Sequence, residues 1–143
     1  QELPFRDNEF QMVIFNEIFE HLRINPIETL RKINRITGRD GIMILTTPNL
    51  YSINNLLRFI RGGGFDNPYE QFSKIELRGH MGHLREYTVN QVKEFLVNTG
   101  FKSLNVEMMS YNSFKKIYKP FNLLRKMIPA FHSYQVHVCK KDN

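Results

Sequence analysis

Apolar positions along the chain follow two rhythms, and the change from one to the other marks out its elements. Met12-Val13-Ile14-Phe15 is a continuous apolar run, too short for a helix and β-branched at its centre, which predicts a strand buried on both faces. A polar knot follows, Asn16-Glu17-Ile18-Phe19-Glu20-His21. From Asn25 the period becomes helical, with Ile27, Leu30, Ile33 and Ile36 on one side, Asn25 as N-cap and Pro26 at the first helical position. Gly38 and Gly41 are expected to close this helix, and Gly41-Ile42-Met43-Ile44-Leu45-Thr46-Thr47-Pro48-Asn49 reads as a second buried strand. The result is a βαβ unit whose polar groups gather at the strand ends. In open α/β sheets, ligands sit just beyond those carboxyl ends.

Further along, Leu3 to Phe10 is a turn-rich loop and Ile53 to Ile60 a short helix that Gly62-Gly63-Gly64 breaks. Residues 65–87 read as a loop folded over a site, because Gly79-His80-Met81-Gly82-His83 is too polar and flexible for a core. Thr88 with Gln91 forms a capping box, and the helix it opens turns Val92, Phe95 and Leu96 inward before Gly100 stops it. Phe101 to Met109 is a third strand. His132 to Cys139 is a fourth, in which Tyr134, Val136 and Val138 alternate with Gln135, His137 and Cys139. His132 and His137 are expected at the surface or within that strand. Residues 112–131 form a basic amphipathic insert: Lys115, Lys116, Lys119, Arg125 and Lys126, with no acid, are interleaved with apolar residues. It reads either as an excursion packed on the domain with its lysines in water, or as a surface for an anionic or lipid-linked substrate.

Composition narrows the setting. With 143 residues, 41% of them hydrophobic, the chain is one domain or less with a real core. A single cysteine, Cys139, excludes an internal disulfide and a structural zinc cluster, and fits a reducing, cytoplasmic setting. No run is long enough to span a membrane, and the first residues do not form a signal peptide. A net charge of +6 permits an anionic partner without requiring one. Ser52 and Ser110 lack a nucleophile elbow or a placed base, so hydrolase chemistry is rejected.

Several segments, taken in order, resemble the C-terminal half of a class I S-adenosylmethionine-dependent methyltransferase. They are Leu3-Pro4-Phe5 with Asn8-Glu9-Phe10, Glu17-x-x-Glu20-His21-Leu22, Leu30-x-x-Ile33-x-Arg35, Gly41-x-x-x-Leu45-Thr46-Thr47-Pro48-Asn49, Gly82-His83-x-Arg85-Glu86-Tyr87-Thr88 and Gly100-Phe101. Gln11 departs from the Asp usual after Phe10. The resemblance implies an α/β fold, half of a Rossmann-like sheet of about four strands, the last antiparallel, with flanking helices. It implies S-adenosylmethionine as cofactor, with Leu3, Phe15 and Asn16 at its site. The family's opening strand and glycine-rich turn are missing, since Gly62 to Gly64 neither follows a strand nor opens a helix. The chain then reads as a single partial domain, with residues 51–87 on the substrate side. Strand 12–15 would be a bare edge, to be covered by self-association or by a missing N-terminal half.

The E-x-x-E-H pattern resembles that of metal-assisted O-methyltransferases, and the later histidine segment that of small-RNA 2′-O-methyltransferases. By that resemblance Glu17, Glu20, His21 and His83 would bind a divalent metal, and His21 and His83 would be catalytic. Helical spacing lets Glu17, Glu20 and His21 share a face, and two carboxylates with an imidazole suit a divalent ion. The alternative is that Glu20 and His21 only brace the following helix. Thr46 to Asn49 would line the substrate mouth. Arg85 and Glu86 could pair with each other or with substrate. The acceptor expected is a small hydroxylated, glycan or lipid-linked molecule, with peripheral membrane contact. Nucleic acid is a less favoured partner, because no RNA-binding module is present. The competing function is a non-catalytic remnant serving as a dimerisation or binding module.

Overall fold

A computed structural model describes residues 3–64, 66–79, 82–110 and 119–142, excluding the side chains of residues 78 and 119–122. Its strands are β1 (Phe10–Asn16), β2 (Thr37–Pro48), β3 (Phe101–Met109) and β4 (Tyr134–Lys141), hydrogen-bonded in the order β1-β2-β4-β3. β1 runs parallel to β2, and β4 is inserted antiparallel between β2 and β3. The mixed four-stranded α/β sheet with its last strand antiparallel is the expected one. Among the described residues five α-helices accompany it: α1 (Pro26–Ile36), α2 (Ile53–Ile60), α3 (Pro68–Arg78), α4 (Val89–Asn98) and α5 (Lys119–Met127). Among the described residues no helix is long and apolar enough to cross a membrane.

One sheet face carries the core. Phe15 of β1, Met43 and Leu45 of β2, Cys139 of β4 and Phe101 of β3 pack with Leu30 and Ile33 of α1 and Val92 and Leu96 of α4. The opposite face is open: Met12 and Ile14 are 56% and 61% exposed, their register partners Ile42 and Ile44 are only half-buried, and so are Val138, which pairs with Ile44, and Val136 two residues before it. β1 is therefore buried on one face, not two.

Local chemistry explains the elements and two departures from expectation. Asn25 Oδ1 accepts the Ile27 N–H to open α1, and Arg35 near its end binds the Leu3 and Phe5 carbonyls and Asp7, anchoring the N-terminal loop. Gly38 and Gly41 lie inside β2 instead of ending α1. The helix stops at Thr37, which turns extended while its hydroxyl and N–H both bond the Ile33 carbonyl. Asp40, at φ 59°, then makes an irregularity that Gly41 permits, since a Cβ there would lie 2.8 Å from the Gly38 carbonyl oxygen. Residues 65–87 are not all loop: Asn67 caps α3, Pro68 opens it and left-handed Gly79 ends it. His137 lies within β4, the second of the two places expected for it, and is fully buried there. The polar positions of β4, Gln135 and His137, face the core because they satisfy one another (Nε2–Oε1 2.8 Å), while the valines face outward. His80, Met81 and residues 111–118 of the basic insert lie outside the described residues.

Candidate functional site

Beyond the carboxyl ends of β1 and β2, the chain turns sharply at Glu17, a non-glycine residue at φ 51°. Its N–H donates to the Thr46 carbonyl (3.0 Å), and its carboxylate accepts from the Thr46 hydroxyl (2.9 Å). Burial, foremost, and the nearby Glu20 charge hold the Glu17 carboxyl above its ordinary range, despite the Thr46 hydrogen bond. A 3-10 turn, Phe19–His21, then carries Phe19 into the core against Tyr87 and Phe95 and sets Glu20 almost wholly out of solvent.

Glu20 Oε2 accepts from the Thr47 hydroxyl (3.0 Å), whereas the buried Oε1 has no hydrogen-bond partner among the described residues. His21 Nε2 lies 3.8 Å from that oxygen. The other ring nitrogen, Nδ1, lies 3.0 Å from the Gly82 carbonyl oxygen, which can only accept, so Nδ1 carries a proton and Nε2 is the nitrogen turned to Glu20. The Glu20 carbonyl in turn accepts from Leu84 N–H (2.8 Å), which brings the segment with His83 onto the turn. The His21 and His83 rings meet edge to face at 5.0 Å. His83 Nδ1 points at Glu86 Oε1 (3.4 Å), and Glu86 is held from the other side by Asn55 Nδ2 (2.6 Å). The Glu86 bond raises the His83 pKa, outweighing desolvation.

Glu20, His21 and His83 each offer a ligand atom within 4.8 Å of the others. Two imidazoles, each with Nδ1 directed at an oxygen, and a buried carboxylate oxygen lacking a partner form a donor set that fits a divalent cation. Glu17 stands beside this trio, coupled electrostatically to all three, with its carboxylate bound to Thr46. Of the residues expected at the cofactor, Asn16 is exposed at the end of β1, Phe15 is in the core, and Leu3 packs against that core.

Other singled-out residues brace the site. Thr46 and Thr47 hold the two carboxylates, and Asn49 holds the Ala130 and His132 carbonyls. Arg85 lies over the Tyr87 ring at 5.3 Å instead of pairing with Glu86. Ser110 does have a histidine beside it, His132 at 3.2 Å, but its oxygen also accepts from Ser133 N–H, so the trio ties the ends of β3 and β4 together. Sequence reasoning did not find Gln135, whose buried amide donates to the Pro48 and Tyr87 carbonyls and clamps the end of β2 to the His83 segment. The signal was one amide amid alternating apolar residues.

A family model described as a methyltransferase domain matches residues 1–106. The chain belongs to that family. It is a class I S-adenosylmethionine-dependent methyltransferase domain. An uncharacterised protein of Methanocaldococcus jannaschii is 27% identical over 97% of the chain and 57% of its own length. Among solved structures, an S-adenosylmethionine-dependent methyltransferase from Thermotoga maritima matches with a TM-score of 0.63 at 13% identity, covering 99% of this chain and 60% of that one. A Haloferax volcanii methyltransferase structure, solved as a complex with the Trm112 methyltransferase activator, matches at 0.62 with 14% identity, covering 99% and 58%. The domain spans less than two thirds of each of these relatives.

Proposed function

We propose that this methyltransferase domain transfers a methyl group to an oxygen of a hydroxylated acceptor held over Glu20, His21 and His83. S-adenosylmethionine supplies a methyl already activated on sulfur, so the protein's task is to align the acceptor and take its proton. The observation that carries the reading is that His21 Nε2 faces Glu20 Oε1, which has no hydrogen-bond partner among the described residues, at 3.8 Å at the strand ends. Such a pair is stable around a cation or a proton. Glu20, His21 and His83 would hold a divalent metal there, which would make an acceptor hydroxyl more acidic.

The chain's own residues supply the rest. Glu86 orients His83 and raises its basicity, which suits Nε2 to one of two exclusive roles: ligand to the metal or, with no metal bound, the base that takes the acceptor's proton. Asn16 is the exposed contact for the cofactor, with Phe15 and Leu3 as the packed wall behind it. Glycans, lipid-linked sugars and small hydroxylated metabolites are the acceptor classes this chemistry suits. The bare edge of β1 and the open sheet face call for a protein cover, either a second copy or a preceding segment of the protein.

In the full-length enzyme, Glu20→Gln and His83→Ala should each lower methyl transfer by on the order of a hundredfold with S-adenosylmethionine binding retained. Calorimetric titration with a divalent ion should give a signal that Glu20→Gln removes. Full activity in both variants would refute the assigned roles.

A further inference from the structure

Between β2 and α4 lie the helices α2 and α3, and each buries one amide side chain. On α2 the buried positions are Ile53 and Asn55. On α3 the one buried side chain among those described is Gln71. A leucine would fill either place with no polar group to satisfy, whereas a buried amide is costly unless it is bonded. What these two amides bond therefore indicates why they are there.

Asn55 Nδ2 lies 2.6 Å from Glu86 Oε2, and the other oxygen of that carboxylate faces His83 Nδ1 at 3.4 Å. The remaining contacts of the Asn55 amide are longer, to the Leu50 and Asn49 carbonyls at 3.2 and 3.5 Å. Gln71 donates its amide hydrogen to Asp66, which turns its Oε1 to accept from Gly82 N–H (2.8 Å) and, at 3.4 Å, from Lys74 Nζ. The Gly82 carbonyl then accepts from His21 Nδ1 (3.0 Å). The two paths are separate: Asn55 reaches His83 through Glu86, and Gln71 reaches His21 through Gly82. Each ends on an Nδ1 facing an oxygen that accepts, which leaves Nε2 as the nitrogen open to a ligand.

We infer that Asn55 and Gln71 are positioning residues for the two imidazoles, Asn55 for His83 and Gln71 for His21, each holding its ring with the proton on Nδ1. The inference rests on the reading of Glu20, His21 and His83 as one donor set. Partners of this kind fix the tautomer and direction of a ligating histidine and thereby set metal affinity. An unrestrained neutral imidazole favours its proton on Nε2, so the Nδ1–H form reports that a ring is held.

The test is nitrogen NMR of the metal-free full-length protein, isotope-labelled in its histidine rings and kept at alkaline pH, followed by titration of the same samples with cobalt(II). Signals are assigned by single histidine substitutions. In the wild type both rings should carry their proton on Nδ1. Asn55→Leu should release His83 alone to the Nε2–H form, and Gln71→Met should release His21 alone. Each should weaken cobalt(II) binding by on the order of tenfold, and the two together by on the order of a hundredfold, because they act on different ligands. Gln71→Glu combined with Asp66→Asn exchanges the amide and its carboxylate partner while keeping an acceptor for Gly82 N–H. That pair should restore the His21 tautomer and the affinity. If Asn55→Leu or Gln71→Met fails to fold, Asn55→Ala and Gln71→Ser provide the same readings. A role confined to packing would lower the urea midpoint of the single variants and leave both tautomers in place, which would overturn the inference. So would Nε2–H rings in the wild type, or an exchanged pair that restores neither property. Tautomers that respond as expected in a protein that does not bind cobalt(II) would uphold the positioning roles and refute the metal reading alone.

Discussion

His137 shows how a single residue couples the fold to pH. Its Nε2 must donate to Gln135 Oε1, because the Gln135 amide nitrogen already serves two carbonyls, and its Nδ1 is buried without a partner among the described residues. Desolvation, foremost, pulls its pKa from 6.5 to about 4. The folded protein therefore keeps His137 neutral while the unfolded chain takes up a proton below pH 6.5. Stability should be constant above that value and fall as pH drops toward 4, by about 3 kcal/mol for this group. Urea midpoints measured across this range should show the decline, and His137→Gln should remove about one proton from the slope. An unchanged slope in that variant would assign the effect elsewhere. Cys139, two residues on and equally buried, has its thiol pushed up to about 12 by desolvation. It should resist Ellman's reagent in the native state and react fully in guanidinium. The sequence revealed the alternation of this strand but not its inward face. Hydropathy favours the valines, and the polar side prevails because Gln135 clamps two carbonyls no apolar side chain could serve.

At the scale of elements, start and stop signals were legible wherever backbone chemistry is local. Asn25-Pro26, the Thr88–Gln91 capping box and Gly100 all act where the sequence places them. α3 carries equally clear signals in Asn67-Pro68 and Gly79, but its weak apolar face made the segment read as loop. What no local pattern reveals is the packing of α3 on the site. Gln71 is buried, bonded to Asp66, and its Oε1 accepts from Gly82 N–H (2.8 Å). Gly82 in turn gives its carbonyl to His21. A Cβ on Gly82 would fall on the Gln71 amide, so Gly82→Ala should cost about 1–3 kcal/mol in urea unfolding. Gln71→Ser makes room, so the same substitution in that background should cost less than half as much. Equal costs in both backgrounds would show that the two residues do not meet. Thr88→Ala, which removes the cap on Gln91 N–H, should cost about 1 kcal/mol by the same measurement.

For the whole molecule, the decisive property is asymmetry. Helices α1 and α4 cover one side of the sheet, while the other shows an apolar patch running from Met12 and Ile14 across Ile42 and Ile44 to Val136 and Val138. This asymmetry was legible only in part. That β1 stands at an edge is expected from the resemblance, whereas the open face appears once register puts these residues side by side. A contiguous patch ending in an unpaired strand edge favours association over exposure. The 143-residue chain expressed alone should therefore self-associate, with its weight-average mass in sedimentation equilibrium rising with concentration. Met12→Lys combined with Ile14→Lys should return it to monomer, because lysines on an edge strand oppose pairing. The urea midpoint measured at low concentration should change little, since neither side chain belongs to the packed cluster. In a longer protein whose preceding residues cover this face, the same pair of lysines would be buried without counter-charges and should destabilise by several kcal/mol. The contrast between the two backgrounds distinguishes a self-made cover from one supplied in the same chain. A wild-type chain that stays monomeric at high concentration would mean that the edge needs no cover.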